Sequence, residues 1–480
     1  MLTPIEVKPN ISNFISSLRD IGYSFDTAVA DIVDNSITAS AKSIDIYASA
    51  QNRTVVIIDD GVGLSKEELK EAMRLGSTSP TEERKNYDLG RFGLGLKTAS
   101  FSQCKRLTVI SKTKQGEFST YRWDLDYIIA VNKWYLQEIS IDIYQDEEWY
   151  EKFSHLEEGT VVLWENIDRY ESEELDNKFD DLIDHLGLIF HRFLEGEFPT
   201  RAIKIFFNGR QIPAFNPYNE NNYATQRKNT EYYNINEQPI SITPYILPHP
   251  NKVSRDEYEK YATNDGYQKT QGFYLYREGR LLVYGTWFKL HRQSEAHKLV
   301  RIKIDINNKM DFLWQIDVKK STAMPVPQIK EELKRIIGRI TAQGFKTYKQ
   351  RGNRIKDINT IRYWSLSLQN GKIKYKINKE HPRYALLKNI LEETEMYMLD
   401  EYLEDIERFI PIESIIAKAM ETPHDILQND CEYDDKKIKE IINKMKQLNL
   451  EKDLVLNMLE NAEGFKNCID KIKVILEDVY

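Results

Sequence analysis

Cysteine is scarce in this chain, and its spacing excludes two kinds of structural site. The 480 residues contain three cysteines, Cys104, Cys431 and Cys468. Because the set is odd in number and widely spaced, it predicts neither a disulfide framework nor a zinc site. Such usage is typical of a reducing compartment, and we expect a cytoplasmic protein.

Long apolar runs and a strong positive charge are also lacking. No apolar stretch reaches the roughly 18 residues that suggest a transmembrane helix, so we expect no membrane partner. The N-terminal MLTPIEVKPN has no apolar core, and we expect no secretory signal there. A net charge of −8, with 41% hydrophobic and 30% charged residues, favours a globular protein and argues against a uniformly basic nucleic-acid binder.

Hydrophobic periodicity and turn signals divide the chain into three domains and predict an α+β protein. Residues 1–205 alternate helices with strands, which predicts a two-layer α/β sandwich. A second α+β domain follows at 206–350, and residues 351–480 predict a mainly helical, charged C-terminal region.

Within the second domain, AIKIFFNGRQI (202–212) is expected to open a new set of strands, and 213–270 to be rich in loops. GFYLYREGRLLVYG predicts a strand–turn–strand hairpin, and VRIKIDI and FLWQIDV predict further strands. A long helix is expected from Pro327 onward.

The stretch DLGRFGLGLKTAS (88–100) has the glycine content of a phosphate loop but fits neither common type. A Walker A loop has lysine directly after its second glycine, whereas Leu96 follows Gly95 here. A dinucleotide fingerprint reads G-x-G-x-x-G, but Gly90, Gly93 and Gly95 read G-x-x-G-x-G. Alone, these glycines also fit a simple surface loop, so other motifs have to decide.

Three other motifs accompany this loop in a fixed chain order. They are D-x-x-D-N on a predicted helix (Asp31, Asp34, Asn35), D-D-G-V-G at a strand end (Asp59, Asp60, Gly61, Gly63), and a strand opening at Gly159–Thr160. Any one of them could be a solvated helix face or an ordinary turn. Together and in order, they predict a nucleotide pocket.

The carboxylates and the amide in these motifs suit the two ends of a nucleotide. Asn35 offers a hard oxygen ligand of the kind that Mg²⁺ prefers. Asp31 lies one helical turn earlier on the same face, from where it can polarise a water that attacks a γ-phosphate. Asp59, at a strand end, can accept the exocyclic amine of adenine.

The glycines and the lysine suit the close approach of a backbone to a ligand. Gly61 and Gly63 would allow the backbone to approach the base. Gly93 and Gly95 would free N–H groups at a helix start for phosphate oxygens. Lys97 would add a positive charge there.

Taken together, these motifs resemble those of the GHKL ATPases: DNA gyrase, heat-shock-ninety chaperones, histidine kinases and MutL. These proteins share the Bergerat nucleotide fold, which binds ATP without a Walker A loop. GRFGLGLKTAS and ADIVDNS look most like the microrchidia (MORC) branch, including its prokaryotic relatives. The resemblance covers residues 20–170 well and 200–345 more loosely.

Motif by motif, the resemblance implies a role for each site residue. Asn35 would be the Mg²⁺ ligand, Asp31 the general base, and Asp59 the adenine reader, helped by Thr160. The residues implied to line ATP and its phosphates are Gly61, Gly63, Gly90, Gly93, Gly95 and Lys97.

Two positions depart from the family pattern. The base is commonly Glu in gyrase, MutL and the chaperones, and Asp31 is one methylene shorter, so we expect either slow ATP hydrolysis or an extra bridging water. Thr38 stands where many relatives have an acidic residue. A nucleotide-binding module with negligible turnover is therefore one alternative.

In gyrase- and MutL-like relatives, a second, transducer domain returns a lysine to the γ-phosphate. FLWQIDVKKSTAMPVP offers Lys319 and Lys320 for this role, with Lys320 slightly preferred. An ordinary exposed lysine pair is the alternative. A transducer-like domain would argue against a histidine kinase.

The resemblance implies a switch in which ATP closes a lid and joins two copies as a homodimer, and hydrolysis reopens them. The basic strip from Lys330 to Lys356 is a candidate surface for duplex DNA, although an ordinary charged helix face fits it equally well. The family suggests prokaryotic defence against foreign DNA with a partner effector protein, since no nuclease motif is visible. The acidic helix at 391–407 favours the alternative, a chaperone-like or scaffold ATPase that remodels a protein partner.

Overall fold

The computed structural model describes residues 10–76, 89, 95–114, 116–197, 200–235, 237–317, 322–352, 361–369, 372–421, 433–465 and 468–480. The chain is a mixed α+β protein that divides into two compact units. The first unit comprises Met1–His249 and Asp256–Lys346, and the second comprises Pro250–Arg255 and Thr347–Tyr480.

A mixed sheet forms the centre of the N-terminal part of the first unit. Its strands are β1 (Ser43–Ser49), β2 (Thr54–Asp59), β3 (Cys104–Lys112), β4 (Ser119–Asp124), β5 (Gln137–Glu138), β6 (Gly159–Ile167), β7 (Lys204–Phe207) and β8 (Arg210–Gln211). Their spatial order is β5-β4-β3-β6-β2-β1-β7-β8. The prediction that 202–212 opens a new strand set is wrong, because β7 pairs in parallel with β1 and extends the first sheet.

Helices accompany this sheet and bury its main core. They are α1 (Ile11–Arg19), α2 (Phe25–Thr38), α3 (Lys66–Met73), α4 (Gly95–Gln103), α5 (Leu125–Val131), α6 (Glu148–Ser154), α7 (Ser172–Ile189) and α8 (His191–Glu195). The core contains apolar residues of α2 such as Phe25 and Val33, together with Ile57 and Trp164 of the sheet. The predicted packing of helices against a sheet is confirmed in this part of the unit.

A second sheet follows in the same unit. Its strands are β9 (Gln226–Arg227), β10 (Glu231–Ile235), β11 (Gln238–Ile246), β12 (Gly272–Arg277), β13 (Arg280–Thr286) and β14 (Val300–Ile306), in the order β10-β11-β14-β12-β13 with β9 beside β11. Two helices, α9 (Arg255–Ala262) and α10 (Gly266–Lys269), precede β12. We expected residues 213–270 to be rich in loops, but this range contains β11, an interior strand of the sheet. A boundary near residue 205 stays a prediction, since both sheets lie in one compact unit.

The predicted hairpin and long helix have the expected positions, but the strand in FLWQIDV does not form. Helix α11 spans Pro327–Gly352 and contains the boundary between the units. Residues 312–315 instead form turns, in which the Trp314 N–H donates to the Met310 carbonyl at 3.2 Å and Gln315 has a φ of 44°. Trp314 is buried, so this apolar run reflects core packing rather than strand pairing.

The second unit is mainly helical, as predicted, but it also contains a hairpin. Its elements are β15 (Trp364–Gln369), β16 (Lys372–Ile377), α12 (Pro382–Ile390), α13 (Glu393–Arg408), α14 (Ile412–Glu421), α15 (Asp435–Gln447), α16 (Lys452–Glu460) and α17 (Ile469–Val479). Its core includes Ile438, Leu459 and Ile472. Among the helices described, none has the length and apolar character needed to span a bilayer.

Candidate nucleotide-binding site

Helix α2 carries the D-x-x-D-N motif and holds its first aspartate in place. Asp31 is 3% exposed, and its Oδ2 accepts a hydrogen bond from the Tyr23 hydroxyl at 3.0 Å. Burial, and then the charge of Asp31, raises the pKa of Tyr23 far above its ordinary value, so the phenol stays a donor. Asn35 lies one turn later on the same face and is exposed.

The second aspartate of the motif has an entirely different environment. Asp34 is fully buried, and its Oδ1 lies 2.8 Å from Nε of Arg280, the first residue of β13. A buried carboxylate is costly unless it is paired, so this ion pair compensates for the burial of both groups. The second sheet therefore supplies a counter-ion to the helix that carries the motif.

Asp59 ends strand β2 and is held by hydrogen bonds from three directions. The Ser36 hydroxyl donates to its Oδ2 at 2.7 Å, and the Gly61 N–H donates to its Oδ1 at 2.9 Å. Burial raises the pKa of Asp59 to about 6, and the hydrogen bonds from Ser36, Gly61 and the Thr160 backbone oppose that rise. Sequence reasoning missed Ser36, although a hydroxyl directly after Asn35 was the available signal.

Two of the predicted glycines lie against the backbone of the protein itself. A Cβ on Gly61 would lie 2.9 Å from the Ala39 carbonyl oxygen. Gly63 has a φ of +64°, and a Cβ there would lie 1.9 Å from the Lys112 carbonyl oxygen. Both positions require glycine for the fold alone. Their approach to a base stays a prediction.

Hydroxyl groups on neighbouring strands adjoin the carboxylate of Asp59. Thr160 opposes Asp59 in the antiparallel pairing of β2 with β6, and its Oγ1 lies 2.9 Å from the Ser111 Oγ. The Leu64 N–H donates to that same Ser111 oxygen at 2.8 Å. The sheet thus brings the D-D-G-V-G motif and the Gly159–Thr160 motif together. The order of the motifs along the chain does not indicate this contact.

Helix α4 begins beside Asp31. A Cβ on Gly95 would lie 3.7 Å from Asp31 Oδ2, so the N–H groups of the first turn of α4 lie near this carboxylate. Lys97 is buried, its Nζ donates to the Ala72 carbonyl at 2.7 Å, and burial lowers its pKa to about 8. The predicted contact of Lys97 with phosphates stays a prediction.

Four of the predicted site residues lie outside the described part of the chain: Gly90, Gly93, Lys319 and Lys320. The last described residue before the two lysines is Asp317. Its negative charge contributes to the raised pKa of Tyr23, after the larger effects of burial and of Asp31. Asp317 is therefore near the hydroxyl that holds Asp31.

The described half of the predicted basic strip is largely paired with carboxylates. Arg339 lies 2.5 Å and Arg335 3.7 Å from the carboxylate of Glu231 on β10, and Arg335 also lies 3.1 Å from Glu332. Lys334 pairs with Glu331 at 2.8 Å. These pairs lower the positive charge available to phosphates along this part of α11.

A group of possible metal ligands outside this site is also occupied by ion pairs. Oxygen and nitrogen atoms of His191, Glu195 and Glu197 lie within 4.8 Å of one another. Glu197 is paired with Arg192 at 3.1 Å and with Lys303 at 3.4 Å. Both cations pair with Glu197, so this group supports the packing of α8 against the second sheet better than it supports a metal ion.

Comparison with known proteins places the site in a family. Residues 23–160 match the family model described as "Histidine kinase-, DNA gyrase B-, and HSP90-like ATPase". The DNA mismatch repair protein MutL of Clostridium acetobutylicum is 32% identical over 95 residues, which are 19% of this chain and 15% of that protein. ATPase morc-1 of Caenorhabditis elegans is 29% identical over 102 residues, 21% of this chain and 12% of that protein.

A third relative, a chaperone, is similar over a longer part of the chain than the other two. The chaperone protein HtpG of Alkaliphilus oremlandii is 24% identical over 234 residues, which are 47% of this chain and 32% of that protein. The chain thus spans at most about a third of the length of these three relatives. All three are GHKL proteins, and a MORC-like affinity is consistent with them. Residues 23–160 therefore form a domain of the histidine kinase-, DNA gyrase B- and HSP90-like (GHKL) ATPase type.

Proposed function

We propose that this chain binds ATP with Mg²⁺ in its first unit and hydrolyses it slowly, as a conformational switch. The observation that carries the proposal is the arrangement around α2. Asp31 and Asn35 share one of its faces, and Ser36 of the same helix holds the buried Asp59 at 2.7 Å. One rigid helix therefore fixes the spacing between an adenine-reading carboxylate and a hydrolytic carboxylate.

The surroundings of Asp59 fit the adenine end of the ligand. Its two carboxylate oxygens accept from Ser36 and Gly61, which leaves further lone pairs for the exocyclic amine of adenine. A raised pKa indicates that the ionised carboxylate is under-solvated in the free protein. A donor from the base would relieve that cost.

The surroundings of Asn35 fit a magnesium ion held mainly by substrate. Mg²⁺ is commonly bound through one or two protein oxygens, several waters and the phosphates of its nucleotide. Asn35 is exposed and offers one such oxygen from α2. When bound there, Mg²⁺ would neutralise charge that develops on the phosphate oxygens.

Asp31 would act as the general base. The hydrogen bond from Tyr23 at 3.0 Å orients the carboxylate, and the start of α4 at Gly95 provides backbone N–H groups beside it. The shorter aspartate places its oxygens farther from the ligand than a glutamate would, so we expect slow hydrolysis. Lys319 or Lys320 would sense the γ-phosphate, which the effect of Asp317 on Tyr23 supports.

The proposal is tested by measuring MgATP binding and steady-state hydrolysis of the native chain, Asp31→Ala and Asn35→Ala. We expect Asp31→Ala to bind ATP without hydrolysing it, and Asn35→Ala to lose the magnesium-dependent part of the affinity. A native chain that binds no adenine nucleotide would refute the proposal. Sedimentation with and without a non-hydrolysable ATP analogue tests whether ATP joins two copies.

For the partner, duplex DNA and a client protein are the two candidates. The MutL relative is named for DNA mismatch repair and the HtpG relative is named a chaperone, so the family covers both. The paired arginines of α11 favour a protein client over DNA, because Glu231 and Glu332 together already compensate their charge. A role in defence against foreign DNA with a partner effector remains the DNA-directed form of the proposal.

Duplex DNA added at two salt concentrations separates these candidates. Stimulated hydrolysis that weakens steeply with salt would support the DNA-directed form. Hydrolysis that DNA does not change at either salt concentration would leave the protein client as the supported candidate.

A further inference from the structure

The turn between β12 and β13 carries two buried arginines. Arg277 and Arg280 are paired across a two-residue turn, in which Glu278 and Gly279 have φ values of 50° and 85°. Two positive φ values in succession are typical of the tight hairpin turns that match strand twist. A Cβ on Gly279 would lie 2.3 Å from Cγ2 of Thr200, so this turn is pressed into the protein.

The side chain of Arg280 contacts α2, the helix that carries the D-x-x-D-N motif. Its Nε lies 2.8 Å from Oδ1 of Asp34, and its guanidinium lies 5.6 Å from the centre of the Phe190 ring. Asp34 comes directly before Asn35 and three residues after Asp31. A charge pair buried at this point therefore lies between the two residues to which we assign chemistry.

Arg277 reaches the same helix by a second route. Its Nε and Nη2 hold the two carboxylate oxygens of Asp311 at 2.7 and 3.0 Å, and its Nη1 donates to the Leu89 carbonyl at 3.3 Å. The Leu89 N–H in turn donates to Oγ1 of Thr38, the last residue of α2, at 3.4 Å. Asp311 precedes the segment that leads to Lys319 and Lys320.

We propose that Arg277 and Arg280 are positioning residues that couple the second sheet to α2, and through α2 to Asp31 and Asn35. A buried ion pair cannot separate without leaving both charges unsolvated, so the turn and the helix are expected to move together. The inference rests on the proposed function and deepens it. Both arginines lie outside residues 23–160, the segment that matches the family model.

The test compares Arg280→Met with Arg192→Met in the full chain. Methionine keeps most of the apolar stem and removes the charge. Arg192 is a matched control, because it is equally buried and paired with Asp305 and Glu197, and its guanidinium lies 5.2 Å from the centre of the Tyr276 ring. Both variants are expected to lower Tm, since each removes a buried cation from an ion pair.

Two measurements separate positioning from stability alone. We expect Arg280→Met to speed amide hydrogen exchange in residues 31–38 by about tenfold or more and to lower kcat by roughly 10²-fold, with a smaller change in KM. Arg192→Met should lower Tm by a similar amount. The amide hydrogen exchange rates of α2 and kcat should both stay near native values. Equal behaviour of the two variants would overturn the inference.

Further variants keep the test decisive. The effects of Arg280→Met and Asp34→Asn should be strongly non-additive if the two residues act as a pair, and additive effects would count against it. If Arg280→Met does not fold, Arg280→Lys takes its place, because it keeps a charge but loses the geometry of the guanidinium.

The exchange measurement needs no nucleotide, which separates the two proposals. A native chain that fails to bind ATP would refute the proposed function. The exchange rates of α2 in the two arginine variants would still support or overturn the positioning role.

Discussion

Two acidic helices of this protein, α2 and α13, differ in what surrounds their carboxylates. In α2, Asp31 and Asp34 are almost completely buried, and each has a specific partner, Tyr23 and Arg280. Helix α13 (ETEMYMLDEYLEDIER) carries many more acidic residues, but none of its residues is buried. A buried carboxylate with a specific partner is therefore a better indication of a chemical role than a high density of exposed charge.

The exposed helix also carries large apolar side chains. Tyr397, Met398 and Tyr402 are each about two-thirds exposed, while Glu407 faces the neighbouring hairpin and accepts from the Ile377 N–H at 2.8 Å. The acidic character of α13 is thus compatible with packing and with a solvated surface. The two helices therefore provide a direct experimental contrast.

The largest effect is expected from Asp31→Asn. Removing the general base while keeping the shape should lower kcat for ATP by about 10²- to 10⁴-fold and leave ATP affinity nearly unchanged. Steady-state kinetics and equilibrium binding measure the two quantities. Asp26→Asn is the control on the same helix, where the carboxylate lies 3.5 Å from His185; equal losses in both variants would contradict the role of Asp31.

The next effect is on stability, from Asp34→Ala. This change leaves Arg280 buried without its partner at 2.8 Å, so we expect the free energy of unfolding to fall by about 3–5 kcal/mol. Urea denaturation measures the loss. A loss below about 1 kcal/mol would show that the buried pair contributes no more than a surface pair does.

A smaller, pH-dependent effect is expected from Asp59, whose pKa burial raises to about 6. Since the ionised carboxylate is the better acceptor for adenine, ATP affinity should fall as the pH drops from 7 to 5. Below the pKa, the loss should approach tenfold for each pH unit, because a proton must then be released on binding. Isothermal titration calorimetry measures the ATP affinity at each pH. Asp59→Asn should bind ATP weakly, with an affinity that does not change across the same pH range.

The raised pKa of Asp59 also affects stability, but in the opposite sense: this contribution to the free energy of unfolding is lost as the pH rises. The folded chain holds the Asp59 proton more tightly than the unfolded chain, whose value is near 3.8. This group therefore stabilises the fold fully below about pH 3.8, and that contribution is lost as the pH rises through about 6. Denaturation of native protein and Asp59→Asn between these pH values measures the difference.

The smallest effect is expected on the other helix. Glu401→Gln in α13 removes an exposed carboxylate, so the free energy of unfolding should change by less than about 0.5 kcal/mol and kcat should stay native. Urea denaturation and steady-state kinetics provide the comparison with Asp34→Ala and Asp31→Asn. A large loss of activity in Glu401→Gln would contradict the conclusion that α2 and α13 differ in function.

Much of the local structure could be predicted because it depends on neighbouring residues. SIDIYAS and GTVVLWENI form β1 and β6, since their β-branched content and alternation favour strands. The hairpin turn at Glu278–Gly279 was likewise visible in the sequence. In contrast, FLWQIDV has a strand-like pattern but forms turns, because the burial of Trp314 rather than strand pairing determines its conformation.

The site was predictable only as far as its motifs extend. The order of the motifs suggested that Asp31, Asn35 and Asp59 belong together, and Ser36 joins their elements directly. The pair of Asp34 with Arg280 could not be predicted, because it depends on how the second sheet packs beside α2. Tertiary contacts between segments far apart in the chain leave no periodic signal in a single sequence.

The short turn between Arg277 and Arg280 also limits how this protein can change over evolutionary time. Hairpin turns at a surface usually tolerate inserted residues. Here one added residue would shift the pairing of β12 with β13 and turn one arginine to the opposite face of its strand. At this turn, the number of residues is as strongly constrained as their identity.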